Sequence, residues 1–171
     1  MSYLPYLVEE DWLQCPELSE YRNPRFSSIQ RYAHLNSNAI DLERTWHDYV
    51  LLSFARNPEE FGMDFGDFAP YVDVEWNAKR RISDVFIVNS GIYNVEVKTT
   101  AGNMDRAVRK SKKHSIKIAK DIRRMFGLVP EIITLSCHSG TNQVRVDRYD
   151  AHLDEKIPKA ERKSDPTYFD V

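Results

Sequence analysis

The stretch from Ile82 to Thr99 constrains this chain more than any other. Ile82 to Val88 is apolar at nearly every other position or better, and Ile92 to Thr99 is rich in β-branched residues. Asn89-Ser90-Gly91 between them is a turn signal, so the two runs read as a hairpin. Polar side chains interrupt the pattern at Asp84 on the first strand and at Glu96 and Lys98 on the second. Residues two apart on a strand share a face, so Glu96 and Lys98 point together while Val95 and Val97 point away. The valines suit a buried face, which leaves the polar pair facing an open cleft. The short turn brings Asp84 onto the neighbouring strand, and two carboxylates and a lysine converge.

The flanking sequence supplies layers for this hairpin. Asn38 stands at an N-cap position ahead of 39–55, which lacks Pro and Gly; Leu42, Trp46, Tyr49, Val50 and Phe54 recur there at helical spacing. Residues 58–70 form a loop bearing Glu59, Glu60, Asp64 and Asp67 among three phenylalanines. Tyr71 to Trp76 alternates as a strand. Met104 to Phe126 reads as a helix, with Val108, Ser115, Ile118, Ile122 and Met125 inward, and Gly127 and Pro130 stop it. Glu131 to Cys137 and Gln143 to Tyr149 are two further strands. The expected fold class is α/β (α+β), a mixed central sheet flanked by helices. Its 171 residues suit one domain: helical pieces over 1–37, a core over 38–150 and a C-terminal segment over 151–171.

Composition excludes several classes. No run of about eighteen apolar residues is present, so no membrane span is expected. The N-terminus turns acidic too early for a signal peptide. Cys15 and Cys137 form no spaced motif and read as reduced thiols, in keeping with a reducing intracellular compartment. The net charge of -2 is uninformative, but from Arg106 to Arg124 nine Lys or Arg face one acid, Asp121. Arg106, Arg109, Lys110, Lys113 and Lys117 are therefore candidates for contacting nucleic-acid phosphates, against the commoner alternative of a solvated helical face.

Carboxylates converging beside a lysine suit a hard divalent cation, because Mg²⁺ takes oxygen ligands and shares its shell with substrate phosphate. Asp84 is placed to bridge two ions, Glu96 to bind one, and the Val97 carbonyl to add a ligand. Ions so held activate a water and clamp both oxygens of a phosphodiester. Lys98 would orient that water or offset charge building on the transition state.

The pattern Asp84-x11-Glu96-x-Lys98, after one helix and before another, resembles the PD-(D/E)xK nuclease superfamily over roughly 38–140. Ser83 stands where that superfamily often has Pro. His47 on the first helix narrows the resemblance, since imidazole favours Mn²⁺ over Mg²⁺. A helical His, an acidic loop, a strand Asp and then Glu-x-Lys are most similar to the cap-snatching endonuclease domain at the N-terminus of a segmented negative-strand RNA virus (bunyavirus-type) polymerase. That family cuts host capped mRNA to make primers. The resemblance implies two Mn²⁺ or Mg²⁺ ions, the first held by His47, Asp84, Glu96 and the Val97 carbonyl. The second falls to Asp84 with Asp64, or else Glu60, and Lys98 is the catalytic lysine. It further implies a single-stranded RNA substrate, the remainder of a viral polymerase as partner if the chain is an excised domain, and action in the host cytoplasm or nucleus.

Two alternatives stay open. Glu43 lies one turn before His47 on the same helical face. If Glu43 is the ligand, a DNA nuclease of resolvase, restriction or repair type fits better. The other alternative is a non-enzymatic nucleic-acid-binding module whose carboxylates are incidental.

Overall fold

Strands β1 (Tyr71–Ala78), β2 (Arg81–Val88) and β3 (Ile92–Thr100) form an antiparallel meander. Helix α1 (Met104–Phe126) then carries the chain back, so that β4 (Glu131–His138) runs parallel to β3. Parallel neighbours need such a crossover, and this helix is the right device for it. β5 (Gln143–His152) lies antiparallel to β4, and β6 (Lys159–Arg162) and β7 (Thr167–Asp170) both pair with β5. The result is a seven-stranded, mostly antiparallel sheet in the order β1-β2-β3-β4-β5-β6, with β7 beside β5. The computed structural model describes residues 47, 50, 51, 53–55, 57–64, 71–78, 80–88, 91–138, 141 and 143–170. The helical pieces expected over 1–37, the N-cap at Asn38, Glu43 and Cys15 lie outside them.

The local reasons for α1 are complete. The Asn103 side chain accepts from the Arg106 N–H at 3.0 Å, and Asp105 sits in the first turn and Arg123 and Arg124 in the last, matching the helix dipole. Gly127, at φ 70°, closes the C-terminus by donating to the Arg123 carbonyl. Val108, Ser115, Ile118 and Ile122 are buried as expected. Met125 is not: it is 37% exposed, while its neighbour Phe126, also partly exposed, stacks on Trp76 and Phe86.

The sheet is covered on both faces. On one, Val50, Leu51 and Phe54 of the leading helical segment, with Phe61 and Met63, pack on Val72, Val85, Val95 and Leu135. Part of the expected acidic loop is therefore structural: Pro58–Phe61 is a short 3-10 helix, ended by Gly62 at φ 78°, and Phe61 packs against Phe54 and Phe169. On the other face α1 lays Ile118 and Ile122 over Trp76, Phe86 and Ile92, and Val108 and Ala119 over Ile132 and Tyr149. Each fully buried aliphatic or aromatic side chain here contributes about 1.5–3 kcal/mol. The segment 151–171 shows no period in the sequence, yet it supplies β6, β7 and the end of β5. Cys137 is a free, buried thiol, and burial pushes it up to about 11, so it is unreactive. Among the described residues no helix is long and apolar enough to cross a membrane.

Candidate metal centre

The candidate centre lies where β2 and β3 part. Their ladder runs from Val88↔Ile92 to Val85↔Val95 and stops, while β3 stays paired with β4 as far as Thr100. Asp84 fills the fork so made: its Oδ2 accepts the Val97 N–H at 2.8 Å. A side chain thus replaces the missing strand partner. In an extended strand a residue's N–H and C=O lie on the same edge. The Val97 carbonyl therefore opens toward the fork, beside an N–H already engaged by Asp84.

A break in strand periodicity aims Asp84. Val72 and Val74 belong to the core under the leading helical segment, whereas Trp76 and Ala78, in the same alternation, belong to the core under α1. A period-2 strand changes face only by a backbone irregularity. It occurs at Glu75, whose φ is 48°, uncommon for a residue with a side chain. The register pairs Val74 with Val85 and Trp76 with Ser83, stepping over Glu75 and Asp84. Ser83, buried beyond the step, donates its hydroxyl to Asn94 Oδ1 on β3. Strained backbone of this kind concentrates at functional sites.

Two imidazoles flank the carboxylates. His47 Nε2 stands 3.5 Å from Asp84 Oδ2, and His114 Nε2, from α1, stands 3.9 Å from Glu96 Oε2. Glu96 is not in an open cleft as its alternation implied. It is 6% exposed, roofed by α1, and its Oε1 is buried without a hydrogen-bond partner. Its carboxyl is pushed well above the ordinary carboxylate range, first by burial and then by the charge of Asp84 and a hydrogen bond to it, with Lys98 opposing. Burial likewise holds His114 below its ordinary range, partly offset by Asp84, and Arg81, Lys117 and Lys98 add to the lowering. Lys98 itself is exposed.

These residues fit a hard or borderline divalent cation. A buried carboxylate with an orphan oxygen beside a second carboxylate is a costly arrangement that a cation relieves. Among the described residues no three His, Cys, Asp or Glu side chains are gathered about one point. The donors stand instead as two His–carboxylate pairs joined through Asp84 and Glu96. Asp64 and Glu60, both exposed, complete no such group; Glu60 accepts from Asn57 Nδ2 at 2.9 Å. Asp67 lies outside the described residues.

The bases of α1 are all solvent-facing or partly so, but they do not form one track. Arg109 and Lys112 line a cavity of about 430 Å³ with Arg145, Tyr149 and Arg162, over β5 and β6 and beyond β4 from the fork. Lys117 weighs on His114 and so lies on the fork side; Arg106, Lys110 and Lys113 are exposed. Sequence reasoning passed over His114 and Glu75. His114 was detectable at the border of the buried stripe, adjoining Ser115 and four before Ile118. Nothing in the alternation of 71–78 marks Glu75. No protein-family model, curated protein or solved structure matches this chain.

Proposed function

We propose that the fork between β2 and β3 is the active site of a divalent-metal nuclease that hydrolyses phosphodiester bonds in RNA. The observation that carries this reading is the Asp84–Glu96 pair: two adjoining carboxyls, one of them buried with an unpartnered oxygen. A fold rarely keeps such repulsion unless a cation or a proton relieves it. The element order supports a PD-(D/E)xK core: a helical segment, three antiparallel strands, a crossover helix and a strand parallel to the third. His47 beside Asp84 favours the cap-snatching type, with Mn²⁺ or Mg²⁺ and host mRNA as substrate, over a DNA nuclease built on Glu43.

In this reading His47, Asp84, Glu96 and the Val97 carbonyl hold the metal. When bound, the metal activates water at neutral pH and offsets phosphate charge. The chain's own groups do the rest. The Val97 N–H fixes the rotamer of Asp84, so its carboxylate needs no reorganisation. Lys98, exposed at the rim, donates to a non-bridging phosphate oxygen as charge builds there. The α1 roof over Glu96 keeps bulk water from one side of the site, which strengthens each of these interactions.

The test is an assay of the purified chain with Mn²⁺, and then Mg²⁺, on single-stranded RNA and on single- and double-stranded DNA. Metal-dependent RNA cleavage, lost in Asp84→Ala, Glu96→Ala and Lys98→Ala, is expected. Cleavage of DNA alone transfers the proposal to the resolvase, restriction or repair type. Absence of cleavage on every substrate overturns the nuclease reading.

A further inference from the structure

The resemblance to cap-snatching enzymes implies a second-ion ligand in the acidic loop, yet a different group stands beside the carboxylates. His114, in the middle of α1, stands by Glu96, whereas His47 stands by Asp84 on the leading helical segment, which covers the other face of the sheet. The two contacts have matching character. Each joins one imidazole Nε2 to one carboxylate oxygen, at 3.5 Å for His47 with Asp84 and 3.9 Å for His114 with Glu96.

Both separations are too long for a good hydrogen bond, whose N···O distance is about 2.7–3.2 Å. They suit two donors sharing one ion. With metal–ligand bonds of about 2.1 Å, donors on one ion stand from about 3.0 Å apart at right angles to about 4.2 Å when opposed. Glu96 adds an independent sign: its Oε1 is buried and unpartnered, so this carboxylate is prepared for something beyond Asp84. His114 is half-exposed, which leaves one side of the pair open to substrate oxygens or water.

We infer that His114 joins Glu96 in holding the second metal ion, in the role that Asp64 or Glu60 was expected to fill, while Glu96 also serves the first ion with His47, Asp84 and the Val97 carbonyl. The inference rests on the reading of the fork as a metal centre, though not on what the centre cleaves. It has a chemical corollary. A site with one imidazole per ion selects Mn²⁺ and similar borderline ions over Mg²⁺ at both positions, because nitrogen ligands suit the transition metals.

Calorimetric titration with Mn²⁺ alone, combined with pulsed electron paramagnetic resonance to count coupled nitrogens, tests this without reference to catalysis. The parent chain is expected to bind two Mn²⁺ ions. His114→Ala and His114→Gln should each weaken one of them about tenfold or more while leaving the other. Asp64→Ala and Glu60→Ala should leave both. Imidazole nitrogen coupling should survive in His47→Ala and in His114→Ala and vanish only in the double variant. Loss of all nitrogen coupling in His47→Ala alone overturns the inference, as does a parent chain that binds fewer than two ions. Binding of two ions with the expected nitrogen pattern but no cleavage of any nucleic acid supports the inference while removing the nuclease reading. Circular dichroism of each variant separates ligand loss from unfolding, and the half-exposed position of His114 makes its replacement tolerable.

Discussion

Two buried carboxylates in this molecule have opposite surroundings. Asp147 on β5 is 1% exposed and fully answered: Arg145 grips it through Nε and Nη2 at 2.8 and 3.1 Å, and Arg162 reaches the same carboxylate at 3.1 Å. Arg145 is also held by Asp105 across from α1, and these bonds drive its guanidinium further into the charged form. Glu96 on β3 is nearly as buried, but its nearest charged neighbour is another carboxylate and one of its oxygens has no partner. Both rows face α1. The same helix that tethers its first turn to a neutralised cluster roofs an unneutralised one a few turns later. The first arrangement is costly to break, because losing one partner strands a buried charge; the second sets two carboxyls side by side, a repulsion that a cation or a proton would relieve.

The contrast is broken most forcefully by removing Arg145. Arg145→Ala leaves Asp147 and Asp105 without their shared partner, and a loss of about 3–5 kcal/mol is expected in urea unfolding. Mn²⁺ affinity should be unchanged in the folded variant. A loss under about 1 kcal/mol would place the cluster with ordinary surface pairs and erase the comparison. Asp84→Ala attacks the other side: cleavage should fall by about 100-fold or more, with metal-free stability no lower than the parent's. A smaller activity effect together with a large stability loss would mean that Asp84 serves mainly as the plug of the β2–β3 fork.

Weaker effects sharpen the picture. Mn²⁺ at about 100 times its dissociation constant should raise unfolding stability by about 2.7 kcal/mol, and Glu96→Gln should remove most of that gain. The pH dependence of the metal-free chain follows from the sign of the Glu96 shift. Its folded carboxyl titrates above its ordinary value of 4.5, so the folded state binds a proton the unfolded state has released. That contribution is complete below 4.5 and is lost as pH rises through the raised folded value. Glu96→Gln should flatten this limb in denaturant titrations taken at successive pH values. An unchanged limb would mean that Glu96 is hydrated rather than roofed by α1.

What was legible in the sequence was whatever local chemistry decides. The end of helix α1 could be read because Gly127 and Pro130 act on the backbone within a turn of themselves, whereas the Asn103 cap emerged only with the structure. The strands from β1 to β5 were legible from β-branched runs and turns, and Asp84 with Glu96 from one hairpin of short contact order. β6 and β7 were not: they are four-residue strands, largely exposed, that exist because β5 offers an edge and not because of their own pattern.

The sequence alone determined that Asp84, Glu96 and Lys98 would share a hairpin, because covalent spacing and the period of two allow little else. Tertiary structure decided the rest. It opened the ladder after Val85↔Val95, changed the sheet's buried face at Glu75, drew the Val97 N–H onto Asp84 and lowered α1 over Glu96. It also brought His47 to Asp84 and His114 to Glu96 from two different helices. None of these follows from neighbours in the chain, since burial and charge repulsion are set by what packs across the sheet. The hairpin fixes which groups meet; packing fixes which of them is left with a buried oxygen and no partner.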